Sequence, residues 1–463
     1  MTKIQKLSVW EKAGYGFGDL ASVLYWQTIS AYLLYFYTDV FGITAAAAGT
    51  MMLMSRLWDG VNDPLMGILA DRTQTRWGKF RPYLLWMAVP LAIAGVLAFT
   101  TPDLDDSGKL TYAYVTFFLL MMLYTAINIP YSSLLGVITP DPIERTSVSS
   151  YKYVFAYISG TIVSALALPM TNYFGQGDEA AGWQWTMVIF GLAATLFFMI
   201  TFASVRERVT PPKNQKTSID RDLRDLLNNV PWVLLLFATL LFILFVATRL
   251  SVTTHYFKYF VGEQEISILG FSGSYGYVAL TSAFNAVGTW AAIVGVICTN
   301  YIAGWIGKKR AFLMLFVVAA LSTAAFFVLK PEQVELMFAL QVIGSFTGGP
   351  LSPLIWAMYA DAADYSEWKT GRRSTGLVFS ASTMSQKFGW AIGSYVAGIL
   401  LSSFGFEANM EQNAEVLWGL KALMSIIPAG AGVLAILLIL FYNLDEAKMQ
   451  EIERELRQRR EGA

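Results

Sequence analysis

The chain has 463 residues, of which 55% are hydrophobic and only 14% charged, and its 33 Lys and Arg balance its 33 Asp and Glu. A soluble domain carries roughly 25% charged residues, so this composition excludes an ordinary soluble enzyme and indicates a chain that resides in lipid, as does the mean hydropathy of +0.49. Zero net charge argues against a nucleic-acid partner, the single Cys298 excludes a disulfide framework or a cysteine metal site, and the single His255 excludes the usual zinc and triad chemistries.

The N-terminal 1–12 stretch is short, polar and basic. It lacks the apolar core and cleavage site of a signal peptide, so the first helix is expected to be retained. Apolar stretches of bilayer length, about 20 residues each, follow at 17–38, 43–70, 82–100, 111–138, 148–172 and 184–204. A second set lies at 230–259, 277–303, 310–329, 333–360, 375–402 and 416–442. The expected fold is therefore an all-α polytopic membrane protein with 12 transmembrane helices. Between the two sets, 206–229 holds Pro211-Pro212, alternating charges and no apolar run, and reads as a linker. The expected domains are 1–205 and 230–442, each a six-helix bundle, with 443–463 as a tail.

Basic residues crowd every second loop: Arg72, Arg76, Lys79 and Arg81, then Lys308-Lys309-Arg310, then Arg372-Arg373, whereas 39–44 and 403–415 contain none. The positive-inside rule then places both termini, the linker and the tail in the cytoplasm. Asp361, Asp364 and Arg372, with Asp71, Arg72 and Arg145, lie in or beside these loops. Their opposite charges suggest an inner gate that latches in one state and opens in another.

Asp59 and Asp63 lie inside a stretch that must otherwise cross lipid. Residues four apart share a helix face, and two carboxylates together in hydrocarbon require a proton, a metal cation or a Lys or Arg between them. The pair reads as a cation site, with Asn62 and Thr125 able to add neutral oxygens. Lys387 is an isolated ammonium in its helix and is expected to pair with one of these acids. Arg249 has two readings, a clamp on a substrate carboxylate or a pair with an acid near the surface. His255 is assigned no role.

Several motifs occur in order along the chain: Tyr15-Gly16-Phe17-Gly18-Asp19, Tyr37-Thr38-Asp39-Val40, Trp58-Asp59-Gly60-Val61-Asn62-Asp63-Pro64, Arg76-Trp77-Gly78-Lys79-Phe80-Arg81-Pro82, Tyr124-Thr125-Ala126-Ile127-Asn128-Ile129-Pro130 and Ala360-Asp361-Ala362-Ala363-Asp364-Tyr365. In these the chain resembles the glycoside–pentoside–hexuronide:cation symporter family of the major facilitator superfamily. The resemblance implies two six-helix bundles that rock about a central substrate site. It also implies that Asp59 and Asp63 bind the coupling cation.

The substrate set expected from it is Asp19, Trp26, Tyr124, Asn128, Ser132, Lys152, Thr383 and Lys387. Carboxylates accept sugar hydroxyls and aromatic faces stack on sugar C–H surfaces. Melibiose carriers of the family have an acid where this chain has Asn128, a tryptophan where it has Ser132, and a sugar-binding acid where it has Val23. Asp19 is thus either a substitute hydroxyl ligand or a helix-capping acid, and Lys152 either a substrate contact or a positive-inside anchor.

The resulting expectation is a functional monomer that imports a glycoside with a monovalent cation across the cytoplasmic membrane, needing no cofactor beyond that ion. The coupling ion is sodium or a proton: Asn128 removes one charge from the centre and makes a proton a competitor, while the neutral oxygens of Asn62 and Thr125 favour sodium. The alternative is a proton-coupled exporter or uniporter of the same fold. An intramembrane enzyme lacks the metal or nucleophile cluster it would need.

Overall fold

The computed structural model describes residues 7–139, 142–208, 227–268, 271–370 and 375–461. Of the described residues, 84% are helical. Its contacts divide it into two units, one of Met1–Lys213 with Val278–Ala286 and Phe406–Met410, the other of Asn214–Tyr277, Val287–Gly405 and Glu411–Ala463.

In the first unit the helices are α1 (Val9–Tyr35), α2 (Ala45–Arg72), α3 (Arg81–Trp86), α4 (Ala88–Ala98), α5 (Asp106–Ile138), α6 (Pro142–Gly175) and α7 (Glu179–Ser204). Several begin at a side chain that accepts an otherwise orphaned N–H: Ser8 takes Glu11 N–H, Thr44 takes Ala47 N–H, Asp105 takes Gly108 N–H and Asp178 takes Ala181 N–H. The stretch expected as one span at 82–100 breaks at Met87, because Pro90 has no N–H to offer the Trp86 carbonyl. α1 packs on α6 and α7, and α2 packs on α5. Tyr15 of α1 and Tyr131 of α5 stack with centroids 4.7 Å apart. Tyr15 Oη donates to the Tyr131 carbonyl at 3.2 Å, and Tyr131 Oη to the Tyr15 carbonyl at 2.9 Å.

The turn from α2 to α3 is held from below by the chain that leaves α7. Glu207 accepts the backbone N–H groups of Lys79, Phe80 and Arg81 at 2.9, 2.8 and 3.0 Å. Gly78 adopts φ +108°, and a Cβ there would meet the Glu207 carboxylate at 2.5 Å. The next residue, Arg208, clasps Glu11 through both guanidinium NH groups at 2.5 and 2.9 Å, and its N–H donates to the Val137 carbonyl at 2.8 Å. Burial pulls the Arg81 guanidinium below its ordinary pKa, and Glu207 pulls the other way. Part of the stretch expected as linker is thus fastened to the first unit, while 209–226 lies outside the described residues.

The second unit contains α8 (Val230–His255), most of α9 (Tyr277–Ile306), α10 (Lys308–Ala325), α11 (Val334–Gly348), α12 (Leu351–Thr370), α13 (Thr375–Ser403), α14 (Ala414–Met424), α15 (Ile426–Leu440) and α16 (Glu446–Glu461). Two further expected single spans are interrupted at prolines: 333–360 near Pro350, and 416–442 at Ser425, where Pro428 denies the Met424 carbonyl its donor. Between α8 and α9 a two-stranded antiparallel hairpin pairs Gln264–Ile268 with Phe271–Tyr275, an exception to the all-α expectation. The tail expected at 443–463 forms α16, which buries Met449, Ile452 and Leu456 in the same core as Phe242, Phe245 and Phe316.

Large apolar side chains on the helix exteriors, such as Leu192 (67% exposed), Ile297 (73%) and Leu321 (65%), face outward as a lipid-embedded protein requires. Among the described residues, eight stretches are long and apolar enough to cross a membrane. α1, α2 and α13 have 27, 28 and 29 residues, enough to span at about 1.5 Å per residue. They also carry Asp19, Arg56, Asp59, Asp63 and Lys387, which lower their hydropathy.

Candidate cation and substrate site

The acids of α2 sit in different surroundings. Asp59 is 1% exposed and accepts Arg56 Nη1 at 3.1 Å, from three residues earlier on the same helix. Positions i and i+3 are neighbours on a helix surface, so the geometry follows from the sequence once Arg56 is counted. Arg56 is itself only 8% exposed, and its guanidinium lies 4.3 Å from the centroid of the Trp26 ring on α1. Asp63, half-buried one turn on, accepts the Thr125 hydroxyl of α5 at 3.1 Å. Asn62 lies between them in sequence, its Nδ2 buried without a hydrogen-bond partner among the described residues.

Beside this polar pair lies an aromatic wall. The rings of Trp26 and Tyr124 stack at 6.1 Å with 28° between their planes. Asn128 lies one turn along α5 from Tyr124, and Ser132 donates to Asn128 Oδ1 at 3.4 Å. Asp19 on α1 meets Lys152 Nζ of α6 at 3.7 Å. Of the residues expected from the sequence, the first unit therefore brings Asp59, Asp63 and Thr125 into one polar group. It places Trp26, Tyr124, Asn128 and Ser132 on the adjoining aromatic and amide face, and joins Asp19 to Lys152. A capping role for Asp19 is ruled out by its position well inside α1, whose cap is Ser8.

Arg56 is the residue the sequence reading passed over. It lies in the same run as the two acids, so a counter-charge of Asp59 comes from its own helix. An i, i+3 pair on α2 itself supplies it.

On the second unit, Thr383 is exposed and Lys387 half-buried, both on α13. Asp361, expected as a gate acid, meets Lys308 Nζ of α10 at 2.6 Å and so has a partner within its own unit. Asp364 is half-buried and Arg72 exposed. Asp71 and Arg145 fall within α2 and α6, and Arg372 lies outside the described residues. Arg249, on α8, has its guanidinium 4.6 Å from the Phe326 ring centroid.

Taken together, the carboxylates of Asp59 and Asp63 and the Thr125 hydroxyl set a cluster of oxygen atoms beside the Trp26–Tyr124 aromatic face. Residues 14–446 match the family described as MFS/sugar transport protein. The putative glycoside/cation symporter YagG of Escherichia coli (strain K12) is 36% identical over 97% of this chain and 95% of its own length. The isoprimeverose transporter of Lactiplantibacillus pentosus is 36% identical over 94% and 89%, and a glucuronide carrier protein homolog of Escherichia coli (strain K12) is 30% identical over 98% and 97%. Among solved structures, the nucleoside transporter NupG superposes with a TM-score of 0.61 at 12% identity, over 94% of this chain and 98% of that one. A bacterial homologue of the peptide transporters PepT1 and PepT2 gives 0.66 at 10% identity, over 97% and 100%. These structures share the fold.

Proposed function

We propose, for a chain that belongs to the MFS/sugar transport protein family and to its glycoside–pentoside–hexuronide:cation symporter branch, import of a glycoside with a monovalent cation by alternating access. It is a multi-pass protein of the inner membrane and a transporter rather than an enzyme. The full reading has 12 spanning helices with both termini in the cytoplasm, supported by the basic loops and by the eight clear spans.

The observation that carries the reading is the α2 group: Asp59 and Asp63 one turn apart, with the Thr125 hydroxyl 3.1 Å from Asp63 and the Trp26–Tyr124 wall alongside. Asp59 and Asp63 are the cation ligands, helped by Thr125 and the amide of Asn62. Trp26 and Tyr124 take the C–H face of the sugar, and Asp19, Asn128 and Lys152 take its hydroxyls. Neutral oxygens beside the acids favour sodium, because a proton needs no more than one carboxylate. The substrate class is a glycoside, with xylosides and glucuronides the first to try, given the relatives' names. One elementary charge moving inward through about 100 mV releases roughly 2.3 kcal/mol, enough for about 50-fold accumulation.

The test is uptake into vesicles holding the purified protein, at fixed pH, with and without a sodium gradient and with a protonophore. Accumulation that needs sodium and survives the protonophore supports the reading. Accumulation that ignores sodium and collapses with the protonophore moves the coupling ion to the proton, and no accumulation under either gradient refutes symport.

A further inference from the structure

Arg56 occupies an unusual position. Its guanidinium is buried, it holds Asp59 at 3.1 Å on one side, and on the other it rests on the Trp26 ring at 4.3 Å. A buried guanidinium is stable only when its charge is answered. Here a carboxylate answers part of it and the electron-rich face of an indole answers part. Trp26 is itself half-buried, so some of its surface is open to a ligand, and it stacks with Tyr124. One ring therefore touches both the counter-charge of an acid in the cation group and the surface on which a sugar would stack.

We propose that Trp26 is the coupling residue of this site: the sugar and the Arg56 guanidinium share its ring, so that sugar binding sets how firmly Arg56 holds Asp59, and hence how well Asp59 receives a cation. This rests on the transport reading above. When the ring draws the guanidinium, Asp59 is released in part to the cation. When the ring is removed, Arg56 is left with Asp59 as its chief counter-charge and competes with the cation for it. Linkage requires the effect to be reciprocal, the cation altering sugar affinity by the same factor as the sugar alters cation affinity. Arg56 and Trp26 act here as positioning residues for Asp59.

The test uses the full-length purified protein, with sodium chloride as the cation probe and isoprimeverose as the sugar probe. Sodium midpoints are read from thermal stabilisation with and without the sugar. Trp26→Leu is expected to raise the sodium midpoint about tenfold and to bring the ratio of midpoints with and without sugar towards one. Trp26→Phe, which keeps an aromatic face, is expected to stay within about threefold of wild type in both respects. A merely structural role for the ring would lower thermal stability in Trp26→Leu without changing that ratio, and that result overturns the inference. It is overturned equally if Trp26→Leu and wild type share one sodium midpoint. A wild-type protein that neither sodium nor a change of pH stabilises, and that accumulates no sugar, overturns the transport reading and this inference together.

Discussion

Replacing Glu207 by Ala tests whether the chain leaving α7 holds the α2–α3 turn in place. The carboxylate accepts three backbone N–H groups at 2.8–3.0 Å, and hydrogen bonds to a charged acceptor contribute about 1.5–3 kcal/mol each. Glu207 is only half-buried, so water replaces much of what is lost, and about 1 kcal/mol per bond is the appropriate scale. The sum, about 3 kcal/mol, corresponds to roughly a 150-fold change in the opening equilibrium of the turn. Hydrogen–deuterium exchange on the intact protein reads this directly at the amides of Lys79, Phe80 and Arg81. Their protection should fall about 100-fold in Glu207→Ala, while amides in the middle of α4 keep theirs. Glu207→Gln is the graded control: its amide oxygen still accepts Phe80 and Arg81, whereas its NH2 faces the Lys79 N–H, so the loss should be about tenfold. Unchanged exchange at these three amides in Glu207→Ala would refute the reasoning, as would a glutamine variant no better than the alanine one.

Three further outcomes follow from the geometry. The double variant Asp59→Asn, Asp63→Asn should lose gradient-driven accumulation while retaining sugar exchange, measured by counterflow in vesicles; accumulation against a gradient in that variant would place the cation elsewhere. Thr125→Val removes one oxygen from Asp63 at constant shape and should raise the sodium midpoint for uptake by about tenfold, or about 1.4 kcal/mol, with an unchanged midpoint arguing against Thr125 as part of the cation group. Lys308→Ala strands the largely buried Asp361 and should cost about 2–3 kcal/mol in detergent unfolding, with Lys308→Ala, Asp361→Ala recovering most of it; a double variant no more stable than the single one would show that the pair does not act as a unit.

Much of this architecture is legible in the sequence because lipid leaves few alternatives. A long apolar run must be a helix, and an acid within one must find a partner, so Asp59 and Asp63 single out α2 as the helix on which the proposed site is built. What the run length concealed was the breaks. Pro90 lies inside a stretch with no polar residue nearby and Pro428 three residues past Ser425; each denies a carbonyl its N–H at a break, whereas Pro130 and Pro169 lie inside helices that run on through them, so a proline in an apolar run does not by itself announce a division. Arg56 was concealed differently: a basic residue three positions from an acid is commonplace on a soluble helix, and its weight here comes from burial against Trp26, a tertiary fact. Glu207 looked like one of several linker charges. Its role depends on the turn at Gly78, more than 120 residues earlier in the chain, and no local pattern connects the two.

The paired tyrosines of α1 and α5 bear on how a sugar is received. Each hydroxyl donates to the backbone carbonyl of the other residue, so neither helix can slip along its neighbour by even one residue without breaking both bonds together. Asp19 and Trp26 ride on one of these helices, Tyr124, Asn128 and Ser132 on the other. The face they make is therefore held together by the two helices themselves, and on the proposed function a sugar meeting it would not have to supply the free energy to order it. On that reading, discrimination between sugars would rest on how their outlines fit this fixed face, and exchanging one small side chain on it should change which glycoside is carried more than how tightly the best one is held.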